Sequence, residues 1–214
     1  MKVISLQVGP LATNAYLVVD EESGSGAVID PGAEPERIAQ RCRDEAMEVL
    51  FIVNTHAHAD HVGGNEGLKR EFPDAELCIG AGDAERLADE QANLSAAFGL
   101  RAGGAEPDRR LHEGDRLECG QVTLEVIETP GHTPGAISLL AREQEPPQLF
   151  CGDLLFRDGV GRTDFPGGDW SALVSSIRDK TLVLPEETVV WPGHGERTTV
   201  GRERRAKQFP DTQS

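Results

Sequence analysis

The 214-residue sequence holds only four cysteines, Cys42, Cys78, Cys119 and Cys151, and no two of them form a Cys-x-x-Cys pair. That argues against a disulfide framework and a thiolate zinc knuckle, and leaves the four as small buried hydrophobes. Lysine is as scarce, confined to Lys2, Lys69, Lys180 and Lys207, and the formal net charge is -16. A chain this acidic lacks the basic surface that counterion release rewards, so no nucleic-acid partner is expected. Also missing are an apolar run near the ~18 residues of a membrane span and a signal-type apolar core in Met1-Lys2-Val3-Ile4-Ser5-Leu6; the expectation is no membrane association and a cytoplasmic location.

Histidine is sparse as well, six in all, yet three fall in Thr55-His56-Ala57-His58-Ala59-Asp60-His61, directly after the apolar run Val49-Leu50-Phe51-Ile52-Val53. The cluster therefore sits on the turn leaving a buried strand. Side chains on extended backbone alternate sides, so His56 and His58 can converge on one point while Asp60 and His61 reach a second close by. Imidazole nitrogen with carboxylate oxygen suits two ions of zinc, iron or manganese and disfavours calcium, which takes oxygen alone.

The rest of the chain supplies a frame. Strands are expected at 2–8, 14–19 and 26–29, the last ending at Asp30-Pro31-Gly32. Pro35 opens a helix whose stripe is Ile38, Ala39, Cys42, Ala46 and Met47, leading to the strand 49–53. A short helix at 65–71, a strand at 77–79 and a helix at 83–90 follow. Residues 91–110, with Gly99, Gly103, Gly104, Pro107, Arg101, Arg109 and Arg110, read as a loop or lid. Beyond Leu111 come strands at 122–128, 136–141 and 148–152, a helix at 169–179, a strand at 188–191 and a last helix after about 200. Two β-rich halves, each followed by helices, imply two sheets packed face to face with helices outside.

Three later segments repeat the strand-then-polar-turn pattern: Thr129-Pro130-Gly131-His132-Thr133-Pro134-Gly135, Phe150-Cys151-Gly152-Asp153 and Trp191-Pro192-Gly193-His194-Gly195. With the first cluster they use five of the six histidines, leaving His112 as a solvent-exposed residue. His-x-His-x-Asp-His followed by a lone histidine, an aspartate and a final histidine resembles the metallo-β-lactamase superfamily, over nearly the whole chain. The resemblance implies a four-layer αββα sandwich of two mixed β-sheets in a single domain over 1–214. It implies one metal on His56, His58 and His132, a second on Asp60, His61 and His194, and Asp153 bridging both.

Gly152-Asp153-Leu154-Leu155-Phe156, Gly161-Arg162-Thr163-Asp164-Phe165-Pro166 and Pro192-Gly193-His194-Gly195 look like the glyoxalase II branch in its short form, without the C-terminal helical domain of the two-domain enzymes. The activity so implied is hydrolysis of a small thioester such as S-lactoylglutathione by a metal-bridging hydroxide, with Asp60 and Asp153 as catalytic residues. Arg162 stands where the two-domain enzymes carry a substrate-binding lysine, and Asp164 where they carry a tyrosine; Arg162 is expected to hold a substrate carboxylate, the alternative being a surface arginine paired with Asp158 or Asp164. The terminal pattern of the short homologues survives at Gly201, Glu203, Arg204 and Phe209, with Lys207-Gln208 in place of Asn-Pro. Persulfide dioxygenases share the scaffold and a similar Gly-Arg-Thr-Asp-Phe segment, and imply a rival reading with one iron on His56, His132 and Asp153.

Overall fold

The computed structural model describes residues 1–100 and 105–206. The readings of Arg101, Gly103, Gly104, Lys207, Gln208 and Phe209 lie outside the described residues. The first sheet runs in chain order through β1 (Lys2–Val8), β2 (Thr13–Val19), β3 (Ser25–Ile29), β4 (Glu48–Asn54), β5 (Glu76–Gly80) and β6 (Arg109–Leu111). Its first three strands form an antiparallel meander, and β3 to β6 are parallel. Parallel neighbours need crossovers. They are α1 (Pro35–Asp44), then α2 (Ala59–Val62) with α3 (Asn65–Glu71), then a 3-10 helix at Ala81–Ala88 with α4 (Ser95–Phe98).

The second sheet is built from β7 (Arg116–Cys119), β8 (Val122–Glu128), β9 (Ile137–Ala141) and β10 (Gln148–Gly152). After a small hairpin, β11 (Leu155–Phe156) with β12 (Gly159–Val160), it is completed by β13 (Val189–Pro192) and β14 (Thr198–Thr199), in the order β14-β13-β10-β9-β8-β7. Only the β10–β13 pair is parallel, so both sheets are mixed. Outside it lie α5 (Trp170–Ser175), prolonged by a π-helical turn at Ser176–Thr181, and α6 (Val200–Ala206).

Side-chain alternation makes the four layers. On β2, Tyr16 and Val18 enter the core between the sheets, while Ala15, Leu17 and Val19 pack against Ile38, Ala39 and Cys42 of α1 and Leu68 of α3. On the second sheet Leu124, Val126, Leu139 and Phe150 point inward; Ile127, Leu140, Leu149 and Val190 cover Leu173 of α5, Ile177 and Val200 of α6. Each large side chain fully removed from water contributes roughly 1.5–3 kcal/mol.

Several local readings change. Ala46 is exposed with φ 50° and closes α1 by donating to Arg43 O at 2.9 Å, so it leaves the apolar stripe. The 83–90 helix is a 3-10 helix that begins at Ala81, and Arg109 and Arg110 belong to β6 rather than to a loop. The four cysteines are free and buried, and burial raises each thiol to about 12, which keeps them unreactive packing groups. Among the described residues no helix is long and apolar enough to cross a membrane.

Candidate metal centre

Every turn singled out from the sequence leaves the C-terminal end of a strand along one edge of the sandwich. His56, His58, Asp60 and His61 follow β4, His132 follows β8, Asp153 follows β10 and His194 follows β13. The structure brings all seven together. Ligand-capable atoms lie within 4.8 Å of one another in three overlapping groups: His56, His58 and His132; His56, His61 and Asp153; Asp60, His61 and His194. Gly193 permits a close approach to a ligand side chain, since a Cβ there would stand 2.2 Å from Asp153 Oδ1; Gly152 turns at φ 49° where a Cβ would strike Thr55 Oγ1.

Ring orientations are fixed from behind. His132 Nδ1 donates to Arg162 O at 2.7 Å and His194 Nδ1 to Leu11 O at 3.2 Å, which turns both Nε2 atoms toward the cluster. His56 Nδ1 is 3.1 Å from Thr55 Oγ1, whose own hydroxyl donates to Asp30 Oδ2 at 2.8 Å. The same Asp30 oxygen is 3.1 Å from His61 Nδ1, so one buried carboxylate stands behind two rings. Asp60 Oδ2 accepts from Thr13 Oγ1 at 2.9 Å. Asp83, fully buried, accepts from Ala57 N at 2.9 Å and Gly135 N at 2.8 Å, clamping the turn of His56 and His58 to the turn after His132. Asn14 Nδ2 and Tyr16 Oη donate to Pro192 O at 3.0 and 2.6 Å, docking the β13 turn onto β2. Burial lifts the Tyr16 phenol far above its usual range, so it stays a donor.

Asp30, Asp83, Thr13 and Asn14 escaped the reading from sequence. For Asp30 a signal existed, an aspartate directly after an apolar strand like the ligand turns; for the others none did.

The donor set fits metal ions. His56 Nε2, His61 Nε2 and Asp153 Oδ1 are buried without a hydrogen-bond partner among the described residues, which is rare unless another group satisfies them. Burial first, then the rings of His61, His58 and His132, pushes His56 well below the ordinary imidazole value. Burial and His132 take His58 down to about 2. Both stay neutral, as metal ligands must. At the other end burial opposes charge, yet Asp60, Asp153 and Asp30 lift His61 to about 10, and Asp60 with Asp153 raise His194. Burial also opposes ionisation of Asp60, but His61, His194 and Thr13 outweigh it and hold the carboxyl below its usual range. That end is arranged around positive charge.

Arg162 lies at the rim. Its guanidinium makes two 2.6 Å bonds to Asp164 and sits 4.0 Å from the centroid of Phe165, whose ring stands edge-on 5.8 Å from His58. His112 is outside the cluster, its side chain 67% exposed and its Nδ1 3.9 Å from Glu128.

Fold and donor set together define a metal-binding αββα sandwich. Residues 8–194 match the metallo-β-lactamase superfamily, and the chain belongs to it. Among relatives, hydroxyacylglutathione hydrolase GloC of Haemophilus influenzae is 37% identical over 217 residues, covering 100% of both chains. The mitochondrial persulfide dioxygenase ETHE1 of Mus musculus is 33% identical over 85% of this chain and 63% of its own length. TTHA1623, solved in a di-iron-bound form, superposes with a TM-score of 0.83 at 39% identity, covering 95% of this chain and 98% of that one.

Proposed function

We propose that this superfamily member is a hydrolase of small, glutathione-derived thioesters such as S-lactoylglutathione, working with two divalent transition-metal ions, zinc being the first choice over iron or manganese. The observation that carries the reading is the complete donor set: both three-residue groups are assembled, with Asp153 between them at 3.5 Å from His61 Nε2 and 3.6 Å from His132 Nε2 and His194 Nε2. Such ions, when bound, draw the pKa of water from 15.7 toward about 7 and polarise a carbonyl oxygen. His56, His58 and His132 would hold one ion, Asp60, His61 and His194 the other, with Asp153 shared.

Asp60, kept ionised beside His61 and His194, would accept a hydrogen bond from an attacking water and so orient it; Thr13, donating to Asp60 Oδ2, fixes the carboxylate. Arg162 would grip a substrate carboxylate with its planar fork by exchanging it for Asp164, an exposed partner whose loss costs little. The likeness to GloC along the full chain supports the thioester reading.

The adjacency of His132 and Asp153 and the likeness to ETHE1 support a second reading, a persulfide dioxygenase with one iron on His56, His132 and Asp153. One metal-quantified sample separates the two. Hydrolysis of S-lactoylglutathione without oxygen uptake is expected; oxygen uptake on glutathione persulfide with no thioester hydrolysis would replace the first reading by the second.

A further inference from the structure

Beside the carboxylate end of the cluster lies a hollow of about 220 Å³, walled by Val8, Leu11, Ala33, Ala59 and Leu100, with Asp60 in its lining. One water occupies about 30 Å³ in the liquid, so the hollow takes a group of several heavy atoms. Its front wall is the tight turn between β1 and β2, where Ala12 N donates to Gly9 O at 3.2 Å. That turn carries Leu11, an apolar side chain left 43% exposed, and the Leu11 carbonyl holds His194. The wall is therefore joined directly to a residue of the cluster.

Charge sorts what could enter. Among the described residues only Glu34, besides Asp60, brings a charged side chain to the lining, and it is engaged by Gly9 N at 2.9 Å and Arg37 Nη1 at 2.7 Å. Among the described residues no cation lines the hollow, so an anionic group at its outer end would face Glu34 and apolar carbon with no partner. Resting on the thioester reading, we infer that this hollow receives the acyl group of the substrate and selects short, uncharged, apolar acyl chains, with Leu11 and Ala33 as the residues that set their length. The acyl carbon attacked beside Asp60 would then carry its chain into the hollow, while the thiol half leaves toward the Arg162 rim.

The test uses a series of S-acylglutathiones, acetyl through octanoyl plus succinyl, on the fully metallated protein. Each added methylene should raise kcat/KM about three- to fourfold until the hollow is filled, after which the gain stops. Succinyl should fall at least tenfold below butyryl. Ala33→Phe should cut the ratio of hexanoyl to acetyl activity at least fivefold, and Leu11→Ala, at an exposed position that leaves folding intact, should flatten the rise. Hydrolysis that is indifferent to chain length and to both substitutions would overturn the pocket and leave the thioester reading standing. Absence of hydrolysis on every member, in a sample shown to hold two ions, would overturn both.

Discussion

At one end of the cluster His56 and His58 meet His132 as desolvated imidazoles, the first two held neutral by burial and mutual repulsion, whereas at the other end His61 and His194 stand among carboxylates that draw a proton onto them. The distance between these two environments is a single side chain, Asp153. At the histidine end His58 Nδ1 and His132 Nε2 share a hydrogen bond of 2.9 Å, which an ion would replace, but His56 and His58 hold no extra proton for it to expel. The carboxylate end has already recruited positive charge in the form of protons, which a metal ion must expel.

Removing the residue common to both ends should do the most damage. Asp153→Ala is expected to lower turnover by more than about a hundredfold and to reduce bound metal from two ions per chain to one or fewer, read by elemental analysis. Full rate with both ions retained would show that the two ends do not share it. Next come the supports peculiar to each end. Asp83→Asn loosens the clamp on the histidine turns and should weaken the first ion about ten- to a hundredfold. Thr13→Val should weaken the second by a similar factor and spare the first. If both changes hit both ions equally, the ends are one site.

Acidity gives a third handle. Against the cost of burial, Asp60, Asp153 and Asp30 lift His61 to about 10, so between pH 6 and 9 a rise in pH weakens the competition from protons and should tighten the second ion, with proton release on binding. His56 and His58 stay neutral in that range, so the first ion should respond far less. Chelator competition at several pH values reads both. A smaller effect is expected at the rim. Arg162→Ala should raise KM severalfold for S-lactoylglutathione and less for a thioester without carboxylates. Smallest of all is His112→Ala, which should leave metal content and turnover near wild type.

Much of this was legible beforehand. The histidines and aspartates of the four strand-end turns announce themselves because each follows an apolar run, and the strand at 14–19 was expected, though its burial on both faces is seen only in the fold. What escaped were side chains whose meaning is purely spatial. Asp83 serves backbone groups of Ala57 and Gly135, 26 and 52 residues away, and nothing around it in sequence marks that duty. Short pairings such as β6, β7 and β14 were missed for the same reason: two to four residues carry no period, and only the neighbouring strand defines them. For Arg162 the sequence left two readings open, and the ion pair with Asp164 is the one its guanidinium makes.

Each three-residue group also crosses the seam between the halves of the molecule. His56 and His58 come from the first sheet and His132 from the second; Asp60 and His61 come from the first and His194 from the second. An ion at either place is thus a clasp as well as a reagent, binding only when the two sheets are docked. By mass action a ligand present at a hundred times its dissociation constant favours the docked state by about 2.7 kcal/mol per site. Starved of metal, the protein would loosen first along this seam, and amide exchange in β4 and β10 would quicken before the outer helices respond.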